Sequence, residues 1–438
     1  MIEDFRNRLR DAWRMSDRIF DIVPRDRWSH QPISLRHPIL FYVGHLPAFA
    51  WNQVGSGLLG LGRLHPEFDE LFERGIDPVG IDQHASTTDW PEIDTVLAYR
   101  DAARERLLEA VERVIDRQDE HPLAARGRIL NVVLEHEYMH QETLQYMLQR
   151  MEPADMHRID AAPPPRLVRQ VANETVEVAG ASVTLGADFE TLEFGWDNEF
   201  PSSQRTVETF LIDRYPVQSG EWLEFVNAGG YRRKDLWSED DWSWRQRIGM
   251  DYPASWEKNG TGWFLRSLFD RVDLEEAGSW PAMVSLAEAR AYCRWKSVRL
   301  PTEAELHRAM FGSPGGEFRR YPWGDHDPVS AVHGNFDFCS WAPTPVNAHP
   351  AGVSAWGVED TVGNAWEWTS SVFAPFPGFE AYIPSYPGYS TDFFDNRHFV
   401  MLGASWATPV PLIRRSFRNW FQDRYPFVFA GFRTVKLT

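Results

Sequence analysis

Cysteine is nearly absent. Only Cys293 and Cys339 occur in 438 residues, which excludes a disulfide framework and a cysteine-rich metal site. Positive charge is also scarce: 45 Lys and Arg stand against 63 Asp and Glu, a formal charge of −18. Sequence-independent nucleic-acid binding needs Lys and Arg to replace phosphate counterions, so nucleic acid is not an expected partner. An anionic membrane surface is unfavourable for the same reason. Long apolar runs are lacking as well. The longest, residues 38–61, is interrupted by His45, Asn52 and Gln53 and reads as a buried helix, not a membrane span. The first residues, MIEDFRNRLRDAW, have no apolar core of a secretory signal. The expectation is a soluble, cytoplasmic protein. No nucleophile elbow, phosphate-binding loop or dinucleotide fingerprint offers a competing chemistry.

What the chain has in plenty is tryptophan, 20 residues, with Phe, Trp and Tyr together at 14%. Disordered chains are poor in aromatics, so this load requires packed cores or aromatic-lined pockets. The length allows roughly two or three domains.

Two periodicities divide it. Phe5, Leu9, Trp13, Ser16 and Phe20 recur at steps of three and four, as do Ile93, Val96, Arg100, Ala103, Leu107, Val111 and Val114, each set marking one helix face. Pro91 suits a helix start, with Asp89 a candidate cap. Residues 38–61 and 123–150 supply two more helices, giving four with one long connection at about residues 62–89, an up-and-down bundle. Pro153 and the triple proline at 163–165 make a stiff linker. We therefore expect a bundle over residues 1–152, a linker over 153–168 and a second domain over 169–438. In the second domain residues 176–185 and 204–212 alternate as strands do. Helical signals shrink to the short pieces 219–227, 285–297 and 301–311, the last with Thr302 and Glu305 as a capping box. The fold class expected is α+β in two domains, the second rich in loops.

The segment 131–150, NVVLEHEYMHQETLQYMLQR, carries the strongest chemical signal. Its apolar stripe includes His136 and His140, which at i and i+4 share one face and can converge on one point. His45 is a third imidazole in an otherwise apolar helix, where an unpartnered ring is unfavourable, and Pro47 beside it should bend that helix. Single buried histidines are more often satisfied core residues, but three of this kind point to a metal site with open positions. Three imidazoles suit zinc, iron, copper or nickel alike. HEYMH also matches the H-E-x-x-H pattern of zinc peptidases, with Glu137 as the would-be base. That reading needs a third ligand downstream, and the metzincin continuation is absent.

The blocks GNAWEWT, GASW and GFR, in that order, resemble the formylglycine-generating-enzyme (sulfatase-modifying-factor) domain, a variant of the C-type-lectin fold. The cysteine pair of the formylglycine enzymes is missing from the last segment, which has Ala407 and Ser416. Preceded by a DinB-like four-helix bundle carrying HEYMHQET and FYVGH, the whole chain resembles the non-haem iron sulfoxide synthases of ergothioneine and ovothiol biosynthesis. The resemblance implies Fe(2+) held by His45, His136 and His140. It also implies O2-dependent C–S bond formation between the imidazole of hercynine and a thiol, yielding a sulfoxide. Asn419 and Trp420 match the region that receives the betaine end of the substrate, and an aromatic face suits a quaternary ammonium. Phe421, Arg418, Trp406 and Met139 are further substrate-side candidates.

In this family a tyrosine donates a proton or hydrogen atom and steers the reaction toward sulfoxide; Tyr389 of PGYSTDFF is the nearest match. Actinobacterial-type relatives have Gln where this chain has Met139, and use arginines to clamp gamma-glutamylcysteine. The comparable stretch here, residues 75–90, has none, so free cysteine is the expected donor. The alternatives are an ovothiol-type enzyme acting on histidine, a selenoneine-type synthase, a zinc metallopeptidase, or a non-catalytic binding module.

Overall fold

The computed structural model describes residues 1–73, 90–159, 170–260 and 262–437. They form two units: Met1–Ile159 with Glu190–Asp197 and Glu380–Tyr389, and Asp160–Phe189 with Asn198–Phe379 and Ser390–Thr438.

In the first unit the expected helices are α1 (Ile2–Phe20), α2 (Ile39–Trp51), α4 (Ile93–Asp116) and α5 (Arg128–Leu148), with a short α3 (Pro66–Leu71) in the long connection. Helix α1 touches α4 and α5, and α2 touches the same two, so the four long helices close into a bundle. The expected stripe of α1 is its buried face, Phe5, Leu9, Trp13, Ser16 and Phe20. On α4 the apolar stripe is buried from Val96 to Val114. Its Arg100 instead reaches Asp17, which Arg104 also grips through both terminal nitrogens at 2.8 and 2.9 Å. Helix α5 is buried almost all round, as the central element of a bundle must be. It starts after Gly127, at φ +65°, where a Cβ would stand 2.6 Å from the Phe5 ring.

Pro47 does not break α2. The helix runs through it to Trp51 and widens into a π turn over Asn52–Leu58. The candidate cap Asp89, the stretch 75–89 and the linker beyond residue 159 lie outside the described residues; Pro153 opens a single 3-10 turn.

In the second unit, residues 176–185 do not make one strand. The turn at Gly180 splits them into β1 (Thr175–Val178) and β2 (Ala181–Leu185), and 204–212 divides likewise into β3 (Ser203–Val207) and β4 (Phe210–Asp213). Strands β5 (Trp256–Asn259), β6 (Gly262–Arg266), β7 (Arg271–Asp273), β8 (Val298–Arg299), β9 (Trp366–Val372), β10 (His398–Leu402), β11 (Asn419–Gln422), β12 (Ala430–Gly431) and β13 (Val435–Lys436) follow. The sheets are β1-β4-β13-β8, β11-β10-β9-β12, β5-β6-β7 and the pair β2-β3.

Helices α6 (Ser219–Asn227), α7 (Glu239–Arg247), α8 (Leu286–Lys296) and α9 (Glu303–Phe311) are short. Both Thr302 with Glu305 and Ser285 with Glu288 form reciprocal capping boxes, satisfying first-turn donors. Leu306 and Met310 of α9 pack with Val178, Ile212, Val400, Leu402 and Val435 in one core. Trp222, Trp280, Trp366, Trp368 and Trp406 are fully buried in this unit, where they fill a loop-rich interior that short strands alone would leave open.

Candidate metal centre

His45 comes from α2 and His136 and His140 from α5, two helices packed side by side. One ligating nitrogen from each of the three lies within 4.8 Å of the others. The Nε2 atoms of His136 and His140 are 3.1 Å apart, and those of His45 and His140 are 3.3 Å apart. All three residues are at most 5% exposed.

The tautomer of His45 is fixed from behind: its Nδ1 donates to the carbonyl of Phe72 at 2.7 Å, which leaves a lone pair on Nε2. Gly44 permits this, because a Cβ there would stand 2.5 Å from the Phe72 ring.

Burial lowers the pKa of His45 from 6.5 to about 4. It drives those of His136 and His140 well below 6.5, with the neighbouring imidazoles, and Arg36 for His140, adding in the same direction. The rings are therefore neutral, and neutral imidazole is the form that binds metal. In the tautomer that His45 adopts, with the proton on Nδ1, the Nε2 lone pairs of His136 and His140 would face each other at 3.1 Å and repel unless a cation stood between them. Nitrogens bound at about 2.0–2.1 Å to one metal lie about 3 Å apart, so the donor set fits a divalent transition metal.

The surroundings are aromatic. Phe49 stacks on His136 with centroids 3.6 Å apart, Phe41 stacks on His45 at 5.0 Å, and Tyr42 leans on His140 at 5.7 Å. Glu137 turns the other way. It is 3% exposed and accepts from Ser16 of α1 at 2.5 Å, while Gln141 donates to Ala12 and Ser16 beside it. A peptidase base must face the metal-bound water; this carboxylate is engaged by the neighbouring helix instead.

Besides Tyr42, the tyrosine whose ring meets one of the three converging histidines is Tyr386. Tyr389 is buried with its ring 4.0 Å from that of Trp196, whereas Tyr386, three residues earlier, sits 5.8 Å from His136 and 4.8 Å edge-on from Phe49. Both belong to the segment Glu380–Tyr389, which packs with the helical unit. The sequence holds both tyrosines within SYPGYS, and spacing alone does not separate them. Burial raises the pKa of Tyr386, keeping its hydroxyl protonated at neutral pH. Sequence reasoning also passed over Phe49 and Gln53. With His45 they stand at i, i+4 and i+8, a stripe in which a Gln among apolar residues was the available signal.

Met139 is partly buried on α5 beside His140. In the second unit two candidates prove structural. Arg418 is 3% exposed and gives its guanidinium to Glu303 at 2.7 and 3.2 Å and to the carbonyls of Asn198 and Ala374; a cation this fully paired is not left for a substrate carboxylate. Trp406 is 1% exposed, packed on Phe429 and Phe338. Asn419, Trp420 and Phe421 form β11 and are partly exposed. The Trp420 ring stacks on Phe393 at 4.2 Å and Phe373 at 5.3 Å.

Residues 8–144 match the DinB superfamily and residues 161–438 the sulfatase-modifying factor enzyme 1-like domain. A hercynine oxygenase of Mycolicibacterium thermoresistibile is 34% identical over 91% of this chain and 87% of its own length, and one of Mycolicibacterium smegmatis is 35% identical over 85% and 84%. This chain belongs to the hercynine oxygenase family. Ergothioneine biosynthesis protein 1 of Schizosaccharomyces pombe is similar too, at 28% identity over 95% of this chain and 54% of its own length. Hercynine oxygenase similarity thus spans both units, and the DinB match contains all three converging histidines.

Proposed function

We propose that this protein is an iron(II)- and O2-dependent sulfoxide synthase that joins the sulfur of cysteine to the imidazole of hercynine. The reaction balances as imidazole C–H plus thiol S–H plus O2, giving a C–S bond, one sulfoxide oxygen and water. The observation that carries the reading is the convergence of three neutral Nε2 atoms in a chain of this family.

His45, His136 and His140 would hold the iron, which when bound would supply oxygen activation. The protein residues do the rest. Phe72 holds His45 in the ligating tautomer. Phe41, Phe49 and Tyr42 wall the histidines with rings, which excludes water and strengthens the electrostatics within. Tyr386 takes the proton-donor role earlier assigned to Tyr389, its Oη holding a proton at neutral pH. Asn419 and Trp420 remain the candidates for the carboxylate and trimethylammonium of the betaine. Free cysteine is the donor we favour, and two unpaired cysteines suit a cytoplasmic setting.

The test is anaerobic loading with Fe(II), then O2 with hercynine and cysteine, reading products by mass. Sulfoxide from that pair supports the proposal. Turnover with histidine but not hercynine would make it an ovothiol-type enzyme, and turnover only with a selenium donor a selenoneine-type one.

A further inference from the structure

The stripe His45, Phe49, Gln53 runs along α2 into its π turn at steps of four, and each member touches the site differently. His45 offers a ligating nitrogen and Phe49 fills the gap between His136 and Tyr386. Gln53 is 8% exposed and spends both ends of its amide on one residue: Nε2 donates to the Ser385 carbonyl at 3.4 Å, and Oε1 accepts from the Ser385 hydroxyl at 2.6 Å.

Ser385 directly precedes Tyr386, in a segment without helix or strand between Glu380 and Pro387. Such a segment has no backbone ladder of its own to fix it. Other holds on it include the hydroxyl of Tyr382 on Gly195, the turn bonds from Tyr386 N to Ile383 O and from Tyr389 N to Tyr386 O, and ring contacts. A π turn is a register insertion that appears often at functional sites, and here it carries the residue that grips the loop.

We propose that Gln53 is a positioning residue for Tyr386: its two-ended grip on Ser385 sets where the tyrosine hydroxyl stands against the histidines, and so which product forms. This rests on the Tyr386 role proposed above. Two outcomes compete for one thiol and one O2. Coupled to imidazole they give sulfoxide and water, and uncoupled the thiol takes both oxygen atoms as a sulfinate.

The experiment compares Ser385→Ala, Gln53→Leu and Gln53→Glu with Tyr386→Phe in the full chain. It reads the sulfoxide-to-sulfinate ratio of the iron-loaded enzyme, and hydrogen exchange over residues 380–389 in the metal-free protein. Ser385→Ala changes an exposed side chain, so it keeps the test alive if Gln53→Leu does not fold. The expected result is faster exchange in the segment and a ratio lowered about five-fold, the worth of one net hydrogen bond. Gln53→Glu, which keeps the acceptor for the serine hydroxyl, should fall between. Unchanged exchange, or faster exchange with an unchanged ratio while Tyr386→Phe does shift it, overturns the positioning role. An unchanged ratio in Tyr386→Phe itself would instead overturn the reading of Tyr386.

Discussion

In the second unit the buried guanidinium of Arg433 meets Glu367 at 2.5 and 2.6 Å, and that of Arg418 meets Glu303. In the first unit His136 and His140 turn their Nε2 atoms toward one another and toward His45, and their Nδ1 atoms have no partner among the described residues. The second unit pairs these buried arginines internally, although Trp280 Nε1 and Asp360 Oδ1 there also lack partners among the described residues; the first unit instead gathers three imidazoles around one point, a donor set that a cation would complete. Three neutral imidazoles brought this close at one buried point are the donor set that a divalent metal takes.

The largest break in that contrast is expected from His136→Ala or His140→Ala. Either should abolish sulfoxide formation and remove metal-dependent stabilisation. In the wild type, metal at a hundred times its dissociation constant should add about 2.7 kcal/mol, read as a rise in Tm that the variants lack.

The converse break is Arg433→Met. It strands the Glu367 carboxylate, which burial already pushes toward its neutral form, and should destabilise the protein by about 3–5 kcal/mol. Metal affinity measured on the folded protein should be unchanged.

A third prediction concerns His307 of α9, buried in the second unit, whose pKa burial and the Arg415 charge lower from 6.5 to about 3. Between those values the unfolded chain binds a proton that the folded chain refuses, so stability falls as pH drops below 6.5. His307→Leu should gain about 2 kcal/mol on the wild type between pH 7 and pH 5, measured by denaturant titration at both.

The smallest effect is expected from Gly44→Ala. The added Cβ displaces the Phe72 ring and loosens the carbonyl that orients His45, weakening metal binding about tenfold, as competition with a chelator would read.

The contrast also explains what could be read from the sequence. The bundle helices and the histidine triad were legible because both obey a local period: Phe5 to Phe20 on one face, His136 and His140 one turn apart. The split at Gly180 was not, because alternation over 176–185 does not say that β1 pairs with β4 and β2 with β3. Arg418 and Trp406 looked available because sequence shows residue type but not the partner, here Glu303 and Phe429. Tyr386 and Ser385 were missed for the same reason. They join the helical unit across more than 300 residues of chain, and no local pattern marks such a return.

The central claim is tested most directly by counting metal. Purified protein loaded anaerobically with Fe(II) and desalted should hold one iron per chain, and His140→Ala treated alike should hold none. Wild-type protein without bound metal, or a variant that keeps the full complement, would contradict the assignment of His45, His136 and His140 as the iron site.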